Sequence, residues 1–317
     1  MTGVGTGVRS GGAARDRPSR DDYSTVRLTF RSDGERCVGR LYRPDRPSNP
    51  PLVVLAGGPV GVGGRPLGPY AERLAAAGYA AFYFDFRHAG DSDGEPRNLV
   101  SPTRQRADWE AALTGLRGRG DVATDCTVLW GVGLAGDGAL AVAADEPRIS
   151  GVVAQTPILS GRAFLRERGV GFLAGGLLAG IRDRVQSVIG RPYTVPVVAD
   201  ATDGGGRFAL VSTPSASRAY RELADGEWEN RTPARSILAL WRHTGNDDRH
   251  RPTCPVLLVG GTRDEISGIE SAAEAATSLP DATLVRLPLG HFDLYDGDGF
   301  DRCVRHGLAF LDATAAR

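Results

Sequence analysis

The chain has 317 residues, enough for one large domain or one domain with a sizeable insertion. Its 38 basic and 38 acidic residues cancel, which argues against nucleic-acid binding or electrostatic attachment to a membrane. All 38 cations are arginine, so chemistries that need a lysine are excluded, among them Schiff-base and pyridoxal catalysis, a P-loop, a Ser–Lys dyad and a protein-kinase core.

With 43 glycines, 20 prolines and one methionine, the missing lysine reads as GC-rich coding bias. Cys37, Cys126, Cys254 and Cys303 form no CxxC pair, which argues against a zinc knuckle or a disulfide framework and suits a reducing cytoplasm. No apolar run approaches the eighteen or so residues of a membrane span. The first 22 residues lack the apolar core of a secretory signal and read as a flexible Gly/Arg arm.

In chain order, TVRLTF (25–30) and CVGRLY (37–42) predict an opening antiparallel pair. LVVLA (52–56), bounded by Pro51 and Gly57, predicts a buried parallel strand. Residues 69–77 predict a helix and 80–86 the next strand. An amphipathic helix follows over 103–117, with Trp109, Leu113 and Leu116 on one face. Residues 127–131 predict a strand, Leu134–Ala144 an alanine-rich helix, and 151–155 another strand.

After Pro157 this rhythm stops for about ninety residues, in which 172–181 and 234–241 read as helices around a turn-rich stretch (192–206). It resumes with a strand over 255–260, a helix over 268–278, a strand over 282–287 and a final helix near 300–313. The expected fold class is α/β: a mostly parallel, doubly wound sheet. Its core is expected over 23–157 and 251–317, with a helical cap over 158–250 placed to act as a lid.

The strand at 127–131 runs into Gly131-Val132-Gly133-Leu134-Ala135-Gly136 and then a helix, the setting of a nucleophile elbow, G-x-S-x-G. With GGPVGVGG after the third strand, FDFRHAGDSDGEPR after the fourth, GTRDE after the seventh and LPLGHFDLY after the eighth, residues 23–317 resemble the α/β-hydrolase superfamily, in particular dienelactone-hydrolase-like and prolyl-oligopeptidase-like bacterial esterases. That resemblance implies Asp264 as the catalytic acid, with Glu265 the fallback, and His291 as the catalytic base. It implies an oxyanion hole from the N–H of Leu134 and one N–H of Gly57–Gly58. The loop with Asp85, Arg87 and Asp91 is expected to be structural, braced by its arginine, and His88 to pack or hydrogen-bond there.

The chain departs from the family at three positions: Gly133 stands where the nucleophilic serine belongs, Ala56 precedes Gly57 where relatives commonly carry His-Gly, and Asp137 stands where a glycine or histidine is frequent. Loss of a serine nucleophile costs about 10⁶ in turnover, or about 8 kcal/mol of barrier. Asp137 is expected to point away from the elbow, and no cysteine is local, so ordinary acyl-enzyme hydrolysis is not expected.

Three explanations remain open. His291 and Asp264 work as an acid/base pair without a covalent step, in cyclisation, elimination, isomerisation or direct hydrolysis; the chain is a serine esterase whose nucleophile has been substituted; or it is a non-catalytic binding protein. Ser267 is the expected N-cap of helix 268–278. His243, His250 and His306 are expected at the surface or at caps, with no metal-like spacing. The GVGLAG run follows the wrong strand for a dinucleotide turn. No cofactor or metal is expected.

The apolar stock of the cap includes Phe164, Leu165, Leu173, Leu177, Leu178 and Leu238, about half of it expected to pack on the core. Phe172, Tyr193 and Trp241 are the candidates to contact a small, apolar, oxygenated substrate, polyketide- or ester-like and belonging to bacterial specialised metabolism. A homodimer fits, with neither nucleic acid nor membrane as partner.

Overall fold

Residues 22–315 are described by the computed structural model, apart from Pro59, Gly61, Gly63, 200–208, 224–228 and 246–250. All but Asp22 of the expected arm, and His250, lie outside the described residues. The opening hairpin pairs β1 (Tyr23–Ser32) with β2 (Glu35–Pro44), Ser32 opposite Glu35, and each strand is longer than predicted. β3 (Pro51–Ala56) is followed by α1 (Gly68–Ala76), β4 (Ala80–Phe84), α2 (Pro102–Leu116), β5 (Ala123–Val132), α3 (Leu134–Asp145) and β6 (Ile149–Gln155). Then come α4 (Gly161–Arg166), α5 (Val170–Ser187), β7 (Thr194–Val195), α6 (Pro214–Leu223), β8 (Thr232–Pro233) and α7 (Arg235–Arg242). The chain closes with β9 (Val256–Gly261), α8 (Ile269–Ser278), β10 (Ala282–Leu287) and α9 (Gly297–Ala315).

Eight strands form one sheet in the order β1-β2-β4-β3-β5-β6-β9-β10. β2 runs antiparallel to β1 and β4, and the remaining neighbours are parallel. Alternation along β3 divides the core: Leu52, Val54 and Ala56 face the layer holding Trp109 of α2 and Leu140 of α3, whereas Val53 and Leu55 face Tyr70 of α1 and Val304 of α9. From β3 the chain steps to β4 on one side and returns to β5 on the other. A crevice therefore opens between the carboxyl ends of β3 and β5, where α/β sheets bind ligands.

The β4 segment ends at Phe84, two residues short of its predicted end; Asp85 N–H still donates to Val38 O of β2 (2.9 Å), and its carboxylate accepts the N–H groups of Gly64 and Asp91. Helices α4 and α6 were not predicted, and α5 runs beyond its expected ends at both termini. The buried Asp183 carboxylate ties α5 to α7 by accepting from the Tyr193 and Arg235 N–H groups and from the Arg235 guanidinium. A third apolar cluster joins Val62, Val100 and Ile266 to Phe164, Leu165, Phe172 and Ile237. Leu177 and Leu178 are exposed, with Ile181 and Val185, along the outer side of α5, and the exposed Val188 and Ile189 follow just past its end. None of the described helices is long and apolar enough to cross a membrane, and all four cysteines are free.

Candidate active site

Gly133 lies between the last residue of β5 and the first of α3, at φ 61°, ψ −127°, a backbone that glycine adopts without the strain an L side chain incurs. Three hydrogen bonds hold it: its N–H donates to Gln155 O (3.0 Å), and its carbonyl accepts from Gly136 N (3.0 Å) and Ile158 N (3.1 Å). The small neighbours have a packing reason, since a β-carbon on Gly131 would lie 2.3 Å from Ala135 O. Leu134 opens α3, so its N–H belongs to the first turn, which has no intrahelical acceptors.

Across the crevice, Gly57 sits at φ 128°, and a β-carbon there would lie 2.5 Å from Val132 O. Only a residue without a side chain lets the end of β3 run so close to β5. The loop it opens is fastened from two sides. Val60 N–H donates to the Tyr220 hydroxyl (3.0 Å) and Gly64 N–H to Asp85.

Asp264 follows β9 and His291 follows β10, and the structure brings them together, His291 Nδ1 lying 2.9 Å from Asp264 Oδ2. The same carboxylate accepts from Ile266 N (2.7 Å), Ser267 N (2.9 Å) and Ser267 Oγ (2.5 Å). Its side chain is 1% exposed. Burial by itself would raise the Asp264 pKa, but the bonds from His291 and Ser267 and the His291 charge outweigh it and bring it to about 2. The dyad therefore holds a fixed negative charge behind the imidazole. Ser267 is not the α8 cap: Gly268 is, without a side-chain cap, and the Ser267 hydroxyl serves Asp264 instead. Glu265 is exposed and accepts from Ser215 Oγ, 3.1 Å away, so it is no substitute.

His291 and Gly133 face one cavity of about 90 Å³, lined also by Gly58, Leu134, Tyr220 and Tyr295 and otherwise by aliphatic and aromatic groups such as Val100, Ile158, Phe164, Leu240, Ile266 and Phe292. Burial raises the pKa of both tyrosine hydroxyls, which remain protonated. Phe172, Tyr193 and Trp241 do not line it. Phe172 is packed in the third cluster, Tyr193 lies under the Arg182 guanidinium (4.1 Å), and Trp241 under those of Arg162 and Arg166. Each is used in packing the helices between β6 and β9. Tyr220 and Tyr295, which the sequence reading did not single out, take that place. Tyr295, four residues after His291, was within reach of the motif; Tyr220, on an unpredicted helix, had no such signal.

The FDFRHAGDSDGEPR loop is structural. Arg87 binds the fully buried Asp108 through Nε (2.6 Å) and also holds Asp33 and Ser32. His88 Nε2 lies 2.9 Å from Arg104. His243 is the half-buried C-cap residue of α7, in keeping with the cap position expected for it. Among the described residues, no group of three His, Cys, Asp or Glu side chains could hold a metal ion.

Comparison with known proteins agrees with this geometry. The family model described as X-Pro dipeptidyl-peptidase (S15 family) matches residues 33–292. The quorum-quenching protein AidA of Acinetobacter baumannii is 31% identical over 90% of this chain and 93% of its own length. The polyketide transferase af380 of Aspergillus fumigatus is 27% identical over 74% of this chain and 80% of its own. The crystal structure of the α/β hydrolase GrgF from Penicillium sp. sh18 superposes with a TM-score of 0.79 at 23% identity, covering 93% of this chain and all of that one, which shows the α/β-hydrolase fold.

Proposed function

The chain belongs to the X-Pro dipeptidyl-peptidase (S15) family of α/β-hydrolase enzymes, and from that premise we propose that it performs acid/base chemistry on a carbonyl substrate without forming an acyl-enzyme. The observation that carries this reading is the pairing of an intact His291–Asp264 dyad with open space at Gly133. His291 Nδ1–H donates to the ionised Asp264, which fixes the ring so that Nε2 faces the elbow. A water molecule or a substrate hydroxyl in the place of the absent serine oxygen gives its proton to Nε2 as it attacks the carbonyl. The negative charge that forms on the carbonyl oxygen is met by the N–H of Leu134 and by one from Gly57–Gly58. His291 then returns the proton to the leaving group.

A positioned general base contributes about 10²–10⁴, and each oxyanion donor about 10²–10³. These terms suffice for hydrolysis of an activated ester, a cyclisation or an elimination. The largely aliphatic and aromatic lining favours a small apolar acyl group, and the helices between β6 and β9 act as its lid. The likeness to the quorum-quenching protein AidA and to the polyketide transferase af380 supports a role in specialised metabolism with an ester- or polyketide-like substrate.

The test is turnover of a panel of short-chain esters and lactones, with the intact protein weighed during the reaction. Product without an acyl adduct supports the proposal, and an adduct on the wild-type chain overturns it. A second reading, a serine esterase whose nucleophile has been replaced, is favoured by the same open space, since nothing has moved in to fill it.

A further inference from the structure

A second cavity, of about 210 Å³, lies against the first turns of α3, and Leu134 lines both it and the cavity above Gly133. Trp109 of α2, Asp137 of α3 and His243 after α7 supply polar walls, and Pro102, Ala135 and Ala141 apolar ones. Among the described residues, five buried side-chain atoms have no hydrogen-bond partner, and three of them belong to this lining: Trp109 Nε1, Asp137 Oδ1 and His243 Nε2. His243 Nε2 stands 2.9 Å from Asp137 Oδ2 but without the alignment of a hydrogen bond. Trp109 is fully buried and Asp137 is 3% exposed.

Buried donors and acceptors are nearly always satisfied, so a donor and a carboxylate oxygen left open around one cavity mark what its occupant must provide. We propose that this cavity binds a small neutral molecule carrying a hydroxyl or a primary carboxamide. Its O–H or N–H donates to Asp137 Oδ1, its oxygen accepts from Trp109 Nε1, and its short alkyl part lies on Pro102, Ala135 and Ala141. A carboxylate would place its charge against that of Asp137. The guanidinium of Arg106, which also lines the cavity, is already bound to Glu110 and Asp145. An alkylammonium would satisfy Asp137 but leave the indole N–H without an acceptor. This site is separate from the His291–Asp264 dyad and stands whether or not the proposed reaction does.

The full chain labelled with ¹⁵N carries tryptophans at 109, 130, 228 and 241, and Trp109→Phe identifies the Trp109 indole signal. Isobutyramide and isobutanol are titrated separately. A saturable shift of that signal with either supports the site, and the tighter of the two names the group it takes. At pH 7 isobutyrate, isosteric with the amide, binds at least about tenfold more weakly, and Asp137→Asn removes most of that discrimination. The proposal is overturned if the Trp109 signal stays still to about 100 mM of both neutral probes, which means that the cavity holds only water. It is also overturned if isobutyrate shifts the signal of the wild-type chain as strongly as isobutyramide, a comparison that needs no variant to fold.

Discussion

A β-carbon added to Gly133 would stand 4.0 Å from His291 Nε2, and no other atom beyond its chain neighbours comes as close. The elbow backbone at Gly133 thus faces an imidazole that has a carboxylate behind it. A serine oxygen, one bond beyond that β-carbon, comes within hydrogen-bonding range of Nε2.

Gly133→Ser therefore gains what the wild-type chain lacks. The variant is labelled stoichiometrically by a fluorophosphonate probe and hydrolyses p-nitrophenyl butanoate at least about 10³-fold faster than the wild type, within the roughly 10⁶ that a serine nucleophile is worth. A folded variant that resists the probe shows that more than the hydroxyl has been remodelled.

Gly57→Ala places its methyl carbon 2.5 Å from Val132 O at a φ of 128°, so the loop must withdraw from the elbow. In the Gly133→Ser background kcat falls about 10²-fold with KM little changed, because the lost oxyanion donor acts on the transition state. Equal losses in kcat and 1/KM contradict that role.

The Asp264 pKa is depressed to about 2 in the folded chain. Its contribution to stability is fully present above the unfolded carboxylate value near 3.9 and is lost as pH falls through about 2. At pH 7 Asp264→Asn costs about 2 kcal/mol in chemical denaturation, and the cost shrinks steadily below pH 4. A penalty that is constant down to pH 2 assigns the effect to packing rather than to charge.

His88 acts in the same sense but in a higher pH window. Burial, with Arg104 close by, lowers its pKa to about 4. The unfolded chain takes up a proton near pH 6.5 that the folded chain refuses until about pH 4, so stability falls as pH drops through that window. His88→Asn, chosen because His88 has φ 72° and asparagine tolerates that backbone, flattens the slope between pH 6.5 and 4. An unchanged slope removes His88 as its source.

The sheet was legible because each core strand is a short apolar run closed by glycine or proline, as in 52–56 and 127–131. The dyad was legible because Asp264 and His291 occupy the turns after the last two strands. What escaped depends on partners distant in sequence. Apolar content alone did not separate Leu177 and Leu178, which face outward, from Phe164, which lines the cavity. Phe172, Tyr193 and Trp241 look like pocket residues by type but are drawn into packing by neighbours such as Arg182 and Arg162. Ser267 was read as a helix cap because it lies just before α8, and only the fold shows its hydroxyl turned to Asp264. The neighbour of Asp137 could not be read from sequence either, since only the fold brings His243, after α7, within 2.9 Å of its carboxylate.

In the proposed reaction His291 moves protons without a covalent step. The most direct measurement is the steady-state hydrolysis of p-nitrophenyl butanoate by the wild-type chain and by His291→Ala, with intact-protein mass recorded in both. Non-covalent proton transfer by His291 gives wild-type turnover without an acyl adduct and a loss of about 10²–10⁴ in kcat/KM on removing the imidazole. Equal rates for the two proteins, or an acylated wild-type chain, would contradict it.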